Sequence, residues 1–318
     1  MPRLGLVDAI RTVALMIGGL AAIHPEVRAD VGPQWIAFNR AGAPSSSLQC
    51  FTPENVHVLD GNLAIETKAE PATCSSFDLA PARYRFTSGF VAMRSFHFLY
   101  GTVEFRAKFG GGSQTGAWPA VWMADASCQA SDPDGTDDDC NGEEIDIAEI
   151  LGGNFEQVNQ QIHVDHFAHN DGCSASISDT SRNFHVYQLV WTARSLVFKI
   201  DRKTTCTIEQ HIPHAPMYVK INMNVGALGG PVELKSLPWH TRVDYLKVTQ
   251  GENVVFRDDF DQAATIQAAP AHTPSSHDKP VAPDYRGFRR RWIVLAGVSG
   301  LLIAWVLAAR RFRGSPHQ

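Results

Sequence analysis

Three acids, Glu144, Asp146 and Glu149, stand in the apolar run GEEIDIAEILGG between Gly142 and Gly153, where a strand would ordinarily carry β-branched residues. Carboxyl groups in such a setting must be offset by partners or retained for chemistry. Period-two alternation puts Glu144 and Asp146 on one face and Ile145 and Ile147 on the other, which leaves Glu149 pointing the wrong way. One extra residue absorbed as a β-bulge near Ile147 or Ala148 returns Glu149 to the acidic face, and bulges gather beside active sites because they re-aim side chains. Three carboxyls along one wall suit cleavage of a glycosidic bond with retention. One carboxylate attacks the anomeric carbon, and a second carboxyl about 5–5.5 Å away gives and then takes the proton. The middle acid couples to both, spreading their titrations so that one outer glutamate stays ionised while the other stays protonated. A solvated edge strand with its acids facing water is the competing reading of this segment alone.

A site of this kind also needs flat apolar surface and hydrogen-bonding groups, because sugar rings expose apolar faces between hydroxyls. Trp118 and Trp122 in GAWPAVW are four apart, so one strand face carries both, in a cleft or in the core. Arg106 shares a face with Glu104 and Lys108 in VEFRAKF and serves either a substrate or an ion pair. Asn222 and Asn224 share a face in KINMNV, where two amides inside an apolar strand must bind sugar hydroxyls or form an internal network. His163, His166 and His169 with Asp165 have the composition of a metal site, but a strand running into a loop scatters them, so no metal is expected there. The acid run from Asp132 to Asp139 is broken by Pro133 and lacks EF-hand spacing, which favours a solvated loop.

The elements that must position these residues are short alternating runs recurring every ten or so residues. VHVLDGNLAIETK with its Asp-Gly turn, GTVEFRAKF, EIDIAEI, FHVYQLVWT and SLVFKID are examples, and no long helical periodicity occurs before Arg289. That pattern predicts an all-β sandwich of two antiparallel sheets.

The chain has 318 residues, 44% apolar and 19% charged, enough for one substantial core plus tails. Residues 1–29, with Arg3 and Arg11 around the run Thr12–Ile23 and small residues after it, read as a signal peptide, with an uncleaved anchor as the alternative. Residues 30–260 form the expected catalytic domain. Residues 261–288, rich in Ala, Pro, Ser and His, read as a flexible tether. Residues 289–313 carry the uncharged run Trp292–Ala309 between arginines, long enough for a transmembrane helix. The expected molecule is therefore exported and anchored in the membrane with its catalytic domain outside the cytoplasm, and is a monomer. From Asp30 to Pro270 there are 17 lysines and arginines against 29 aspartates and glutamates, a net of −12. Such a domain repels sulfated or uronic polymers and has no basic stripe for nucleic acid, so a neutral polysaccharide is the expected partner. Six cysteines in an exported chain suggest three disulfides. Order along the chain invites Cys50 with Cys74, Cys128 with Cys140 and Cys173 with Cys206.

Read in chain order, TPENVHVLDGNLAIETK (from Thr52), FTSGFVAMRSFHFLYGTVEFRAKF (from Phe86), GAWPAVWMAD (from Gly116), EIDIAE (from Glu144), FHVYQLVWTARSLVFKID (from Phe184), YVKINMNVGALGGP (from Tyr218) and VDYLKV (from Val243) resemble glycoside hydrolase family 16. The resemblance runs from about Trp35 to Phe260. It implies a β-jelly roll whose concave sheet forms an open cleft, with Glu144 as nucleophile, Asp146 as its assisting acid and Glu149 as acid/base. It also implies a role for His163 beside the leaving group, and for Asp244 in the structural calcium site of some members. No other cofactor is implied. The motif is the longer, bulged version, shared with β-1,3-glucanases (laminarinases), agarases and carrageenases. The implied activity is that of a retaining endo-glycosidase on β-1,3- or mixed-linkage β-glucan. The alternatives are a galactan or exopolysaccharide hydrolase, a transglycosylase, or an inactive glycan receptor. The chain departs from the pattern at Glu143, where the family has Gly, at Ala227 after Gly226, and in the Asp-rich segment between Cys128 and Cys140.

Overall fold

In GTVEFRAKF, Val103, Phe105, Ala107 and Phe109 are fully buried while Glu104, Arg106 and Lys108 point outward, the period of a strand with one face on a core. The same alternation recurs in HVYQLVW and LVFKI, and these runs assemble as strands of one sheet. The structure is a computed structural model that describes residues 34–42, 47–76, 79–93, 96–110, 115–127, 143–165 and 167–261. All of these lie in one compact unit, Met1–His272. The leader, the tether beyond Asp261, the apolar run 292–309, the Cys128–Cys140 pair, the Asp132–Asp139 segment and His166 lie outside the described residues.

Two large antiparallel sheets form the sandwich. One has seven strands in the order Trp35–Ala37, Phe90–Met93, Met217–Val225, Ala117–Asp125, Glu144–Glu149, Gln157–Val164, His169–Ser176. The opposite sheet has eight: Lys203–Ile208, Leu196–Ile200, His185–Trp191, Gly101–Phe109, Trp239–Gln250, Asn62–Thr67 and Val56–Leu59 along one path, with Asn253–Asp258 pairing to Trp239–Gln250. A small sheet near the first strand contains a parallel pairing, Gln49–Phe51 with Phe86–Ser88, a local exception to the expected antiparallel pattern.

Local sequence explains the connections. Asp60 and Gly61 both take positive φ, 54° and 67°, which turns the hairpin between Val56–Leu59 and Asn62–Thr67 as the Asp-Gly pair predicts. Between the sheets lie Trp35, Trp191, Trp239 and Tyr187, each essentially inaccessible. A buried indole N–H is costly unless paired. Trp35 donates to Asp258, Trp191 to the Pro213 carbonyl and Trp239 to Ser236 Oγ, at 2.8, 3.1 and 2.9 Å. Two disulfides follow the sequence order, Cys50–Cys74 and Cys173–Cys206, and the second ties His169–Ser176 to Lys203–Ile208 across the two sheets.

Candidate active site

Glu144–Glu149 is an interior strand, and its two neighbours read its register differently before and after Asp146. Against Ala117–Asp125, Ala124 faces Glu144 and Trp122 faces Asp146, then the register slips so that Val121 faces Ala148 and Ala120 faces Glu149. Against Gln157–Val164, Glu144 faces His163 and Asp146 faces Gln161, and after the same slip Glu149 faces Asn159. The extra residue at Ile147–Ala148 is the expected bulge. Ile145, Ile147, Ala148 and Ile150 are all fully buried, so the bulge keeps the apolar side chains on the core while bringing the third acid round. Glu144, Asp146 and Glu149 then share the face turned away from the core. Beside them the neighbouring strand places Ala124 next to Glu144, Trp122 next to Asp146 and Ala120 next to Glu149.

Each acid has its own surroundings. Asp146 and Glu149 are 4% and 5% exposed, whereas the Glu144 side chain is 24% exposed. His163 Nε2 lies 3.4 Å from Asp146 Oδ2 and 3.9 Å from Glu144 Oε1, and its Nδ1 bonds Asn170. Glu149 accepts the Trp118 indole N–H on Oε1 at 2.6 Å and the Gln161 amide on Oε2 at 2.9 Å. Lys220, one strand beyond Trp122 and 5% exposed, holds its ammonium 4.5 Å above the Trp122 ring.

These surroundings shape the titrations. Burial, then the charge of Asp146, pushes Glu144 well above the ordinary carboxylate range, while His163 and Lys220 pull it back. Burial, then Asp146, raises Glu149 to about 8, against the Trp118 bond and His163. Burial alone would lower His163, but the hydrogen bond and charge of Asp146, with the charge of Glu144, raise it to about 9. Two cations therefore support negative charge at the Glu144–Asp146 end. At Glu149, burial and the charge of Asp146 favour the protonated form and outweigh the Trp118 and Gln161 donors, which favour the carboxylate.

Among the described residues, the acids and histidines close enough to share an ion are Glu144, Asp146 and His163, with ligand atoms within 4.8 Å of one another. These are the same side chains that pair among themselves.

A protein-family model for "Glycosyl hydrolases family 16" matches residues 49–247. This chain belongs to glycoside hydrolase family 16. Among curated family relatives, the Beta-glucanase of Rhodothermus marinus is 28% identical over 295 residues, covering 78% of this chain and 97% of that protein. The Endo-1,3-1,4-beta-glycanase EglC of Rhizobium meliloti is 29% identical, covering 62% of this chain and 38% of the relative, so the chain spans under half of that protein's length. Among solved structures, a LamA variant from Z. galactanivorans in complex with laminaritriose and laminaritetraose superposes with a TM-score of 0.60 at 27% identity, covering 71% of this chain and 96% of the other. SCLam, described as a non-specific endo-beta-1,3(4)-glucanase from family GH16, gives 0.59 at 27% identity, covering 70% and 86%.

Not every residue singled out in the sequence reaches the family 16 site. Arg106 does not: its strand belongs to the opposite sheet, where its guanidinium bonds Asp244 at 2.7 Å and lies 4.4 Å over Phe184. Period two assigned it a face correctly, but the outward face of the wrong sheet. Asp244, the residue the resemblance ties to calcium, is the other half of that ion pair. His169 pairs with Asp165 at 3.5 Å and stacks on His211, apart from His163. Trp122 and Asn222 are both at the site, yet bonded to each other, the indole donating to Asn222 Oδ1 at 2.6 Å. Asn224 accepts from Gln49 at 2.9 Å. Sequence reasoning missed Gln161 and Lys220. Alternation marks both, Gln161 two residues before His163 and Lys220 two before Asn222, but only the strand order puts them beside the acids.

Proposed function

We propose that the protein is a retaining endo-glycosidase acting on a neutral β-glucan, with β-1,3 or mixed β-1,3-1,4 linkages. The observation that carries this reading is the bulge after Asp146, which puts Glu149 on the face of Glu144 in surroundings that keep it protonated. Glu144 attacks the anomeric carbon as Glu149 gives its proton to the departing glycosidic oxygen, leaving a covalent glycosyl-enzyme. Glu149, now a carboxylate, takes a proton from water, which attacks the same carbon and frees Glu144. Asp146, held by His163, tunes the charge that Glu144 loses and regains.

The substrate class rests on charge and on kinship. A net of −12 over Asp30–Pro270 disfavours polyanionic glycans, and family relatives carry the names beta-glucanase and endo-1,3-1,4-beta-glycanase. The reading extends to place: the sequence features of residues 1–29 and 289–313 support export and membrane tethering, with the catalytic domain outside the cytoplasm. The test is a reducing-end assay of the full chain on laminarin, lichenan, agarose and carrageenan. Laminarin or lichenan should be cut, and Glu144→Gln should abolish the activity without unfolding the protein. Cleavage of neither glucan, or a variant keeping more than roughly a twentieth of wild-type turnover, would overturn the proposal.

A further inference from the structure

The Lys220 ammonium lies on the catalytic face, and the glycosidase mechanism gives it no task. Its strand, Met217–Val225, turns Tyr218, Lys220, Asn222 and Asn224 to the same face as the acids, because the register across Ala117–Asp125 pairs Lys220 with Trp122 and Trp122 with Asp146. A lysine on an outward sheet face ordinarily extends into water, yet this one is 5% exposed. Its ammonium lies 4.5 Å from the ring centroid of Trp122, 5.2 Å from Tyr218 and 6.0 Å from Phe90. Aromatic faces stabilise a desolvated cation, and screening by water at this depth is weak.

We propose that Lys220 is a positioning residue for the nucleophile: its buried ammonium holds negative charge at the Glu144 end of the acid row and so fixes which outer glutamate attacks. The inference rests on the functional reading above and deepens it. The groups that act on Glu144 come from three strands. Its own strand contributes Asp146 and Glu149, and Gln157–Val164 contributes His163 on one side. Met217–Val225 contributes Lys220 on the other side, beside Tyr218. The strand between, Ala117–Asp125, places only Ala124 and Trp122 next to the first two acids. Two cations thus bracket the Glu144–Asp146 end from opposite flanks. Consistent with this geometry, Lys220 acts to lower the titration of Glu144 against the larger rise from burial and Asp146, whereas it is not among the groups that shift Glu149. The indole between Lys220 and Asp146 also carries the bond to Asn222, so the cation steadies a ring that itself orders the site.

The experiment follows the Glu144 carboxyl directly. In the full chain labelled with carboxyl-¹³C glutamate, its resonance is assigned by its loss in Glu144→Gln and titrated in wild type, Lys220→Met and Lys220→Arg. Lys220→Met should raise the Glu144 midpoint by roughly one pH unit or more, a tenfold change in its ionisation constant, and Lys220→Arg should restore most of it. On a cleavable glucan the acidic limb of kcat/KM should move up by the same amount, with KM little changed. An unmoved Glu144 midpoint in a folded Lys220→Met protein overturns the inference. Should that variant fail to fold, Lys220→Gln replaces it with the same expectation. The resonance needs no substrate, so failure of this inference and failure to cut any glucan are separate results.

Discussion

The indole N–H of Trp118 donates to Glu149 Oε1 at 2.6 Å, so the tryptophan expected to stack on sugar is also wired to the residue that carries the proton. The bond favours the charged form of Glu149 and works against the burial that raises it to about 8. Trp118→Phe keeps an aromatic face and removes only the donor. The expected result is an alkaline limb of kcat/KM displaced to higher pH and a loss of about tenfold in kcat/KM, the scale of one hydrogen bond to a charged group. A pH–rate series on wild type and variant checks it. An alkaline limb that stays in place would mean that the bond does not reach the reacting proton.

Glu149 should cost the fold stability at alkaline pH. Its folded titration point, about 8, lies above the value of 4.5 for the unfolded chain, so the folded state keeps a proton that the unfolded state releases. For a group raised in this way, the stabilising contribution is complete below pH 4.5 and is lost as pH climbs through 8. Glu149→Gln keeps the size and removes the titration. The variant should melt higher than wild type at pH 8 to 9, by about 2–4 °C for each 1 kcal/mol recovered, and this advantage should vanish near pH 4. Its turnover should fall by about 10²–10⁴-fold, because general acid assistance is gone. Calorimetry at three pH values, with one activity assay, measures both.

Much of this site was legible because its logic is local. The need to put Glu144, Asp146 and Glu149 on one face dictates an extra residue at Ile147 or Ala148, and the register slips there against both neighbouring strands. The Asp60–Gly61 turn and two of the cysteine pairings are local in the same sense. What alternation cannot supply is the identity of the sheet to which a face belongs. Arg106 and Lys220 look alike in sequence, each a cation alternating with apolar residues. One lies on the far sheet in an ion pair with Asp244, the other on the catalytic face two strands from the acids, and that difference is set by long-range pairings, Arg106 with Tyr245 and Lys220 with Trp122. Trp122 and Asn222 illustrate the same limit. As isolated residues, Trp122 is open to cleft or core and Asn222 to sugar or an internal network, and the 2.6 Å bond that joins them on the catalytic face depends on a pairing that neither segment shows alone.

Gly172 supports the acid row from two strands away. It faces Gln161 across the pairing of Gln157–Val164 with His169–Ser176. A Cβ at this position would lie 2.5 Å from Gln161 Cβ and 2.6 Å from the Gln160 carbonyl oxygen, closer than real contacts allow, and backbone cannot swing aside as a side-chain tip would. Cys173, bonded to Cys206 on the opposite sheet, restrains the edge strand from relaxing outward. Strain from Gly172→Ala should therefore pass into Gln161, whose amide holds Glu149 Oε2 at 2.9 Å. The expected cost is about 1–3 kcal/mol of stability, the usual range for overpacking, together with a several-fold fall in kcat. Gln161→Ala serves as the comparison. It should reproduce the fall in kcat with a smaller change in melting temperature, because it deletes the bond without forcing the strands apart. Thermal melts and initial rates on the three proteins decide the matter, and a Gly172→Ala variant that melts with wild type would mean that the two strands do not approach as closely as this register requires.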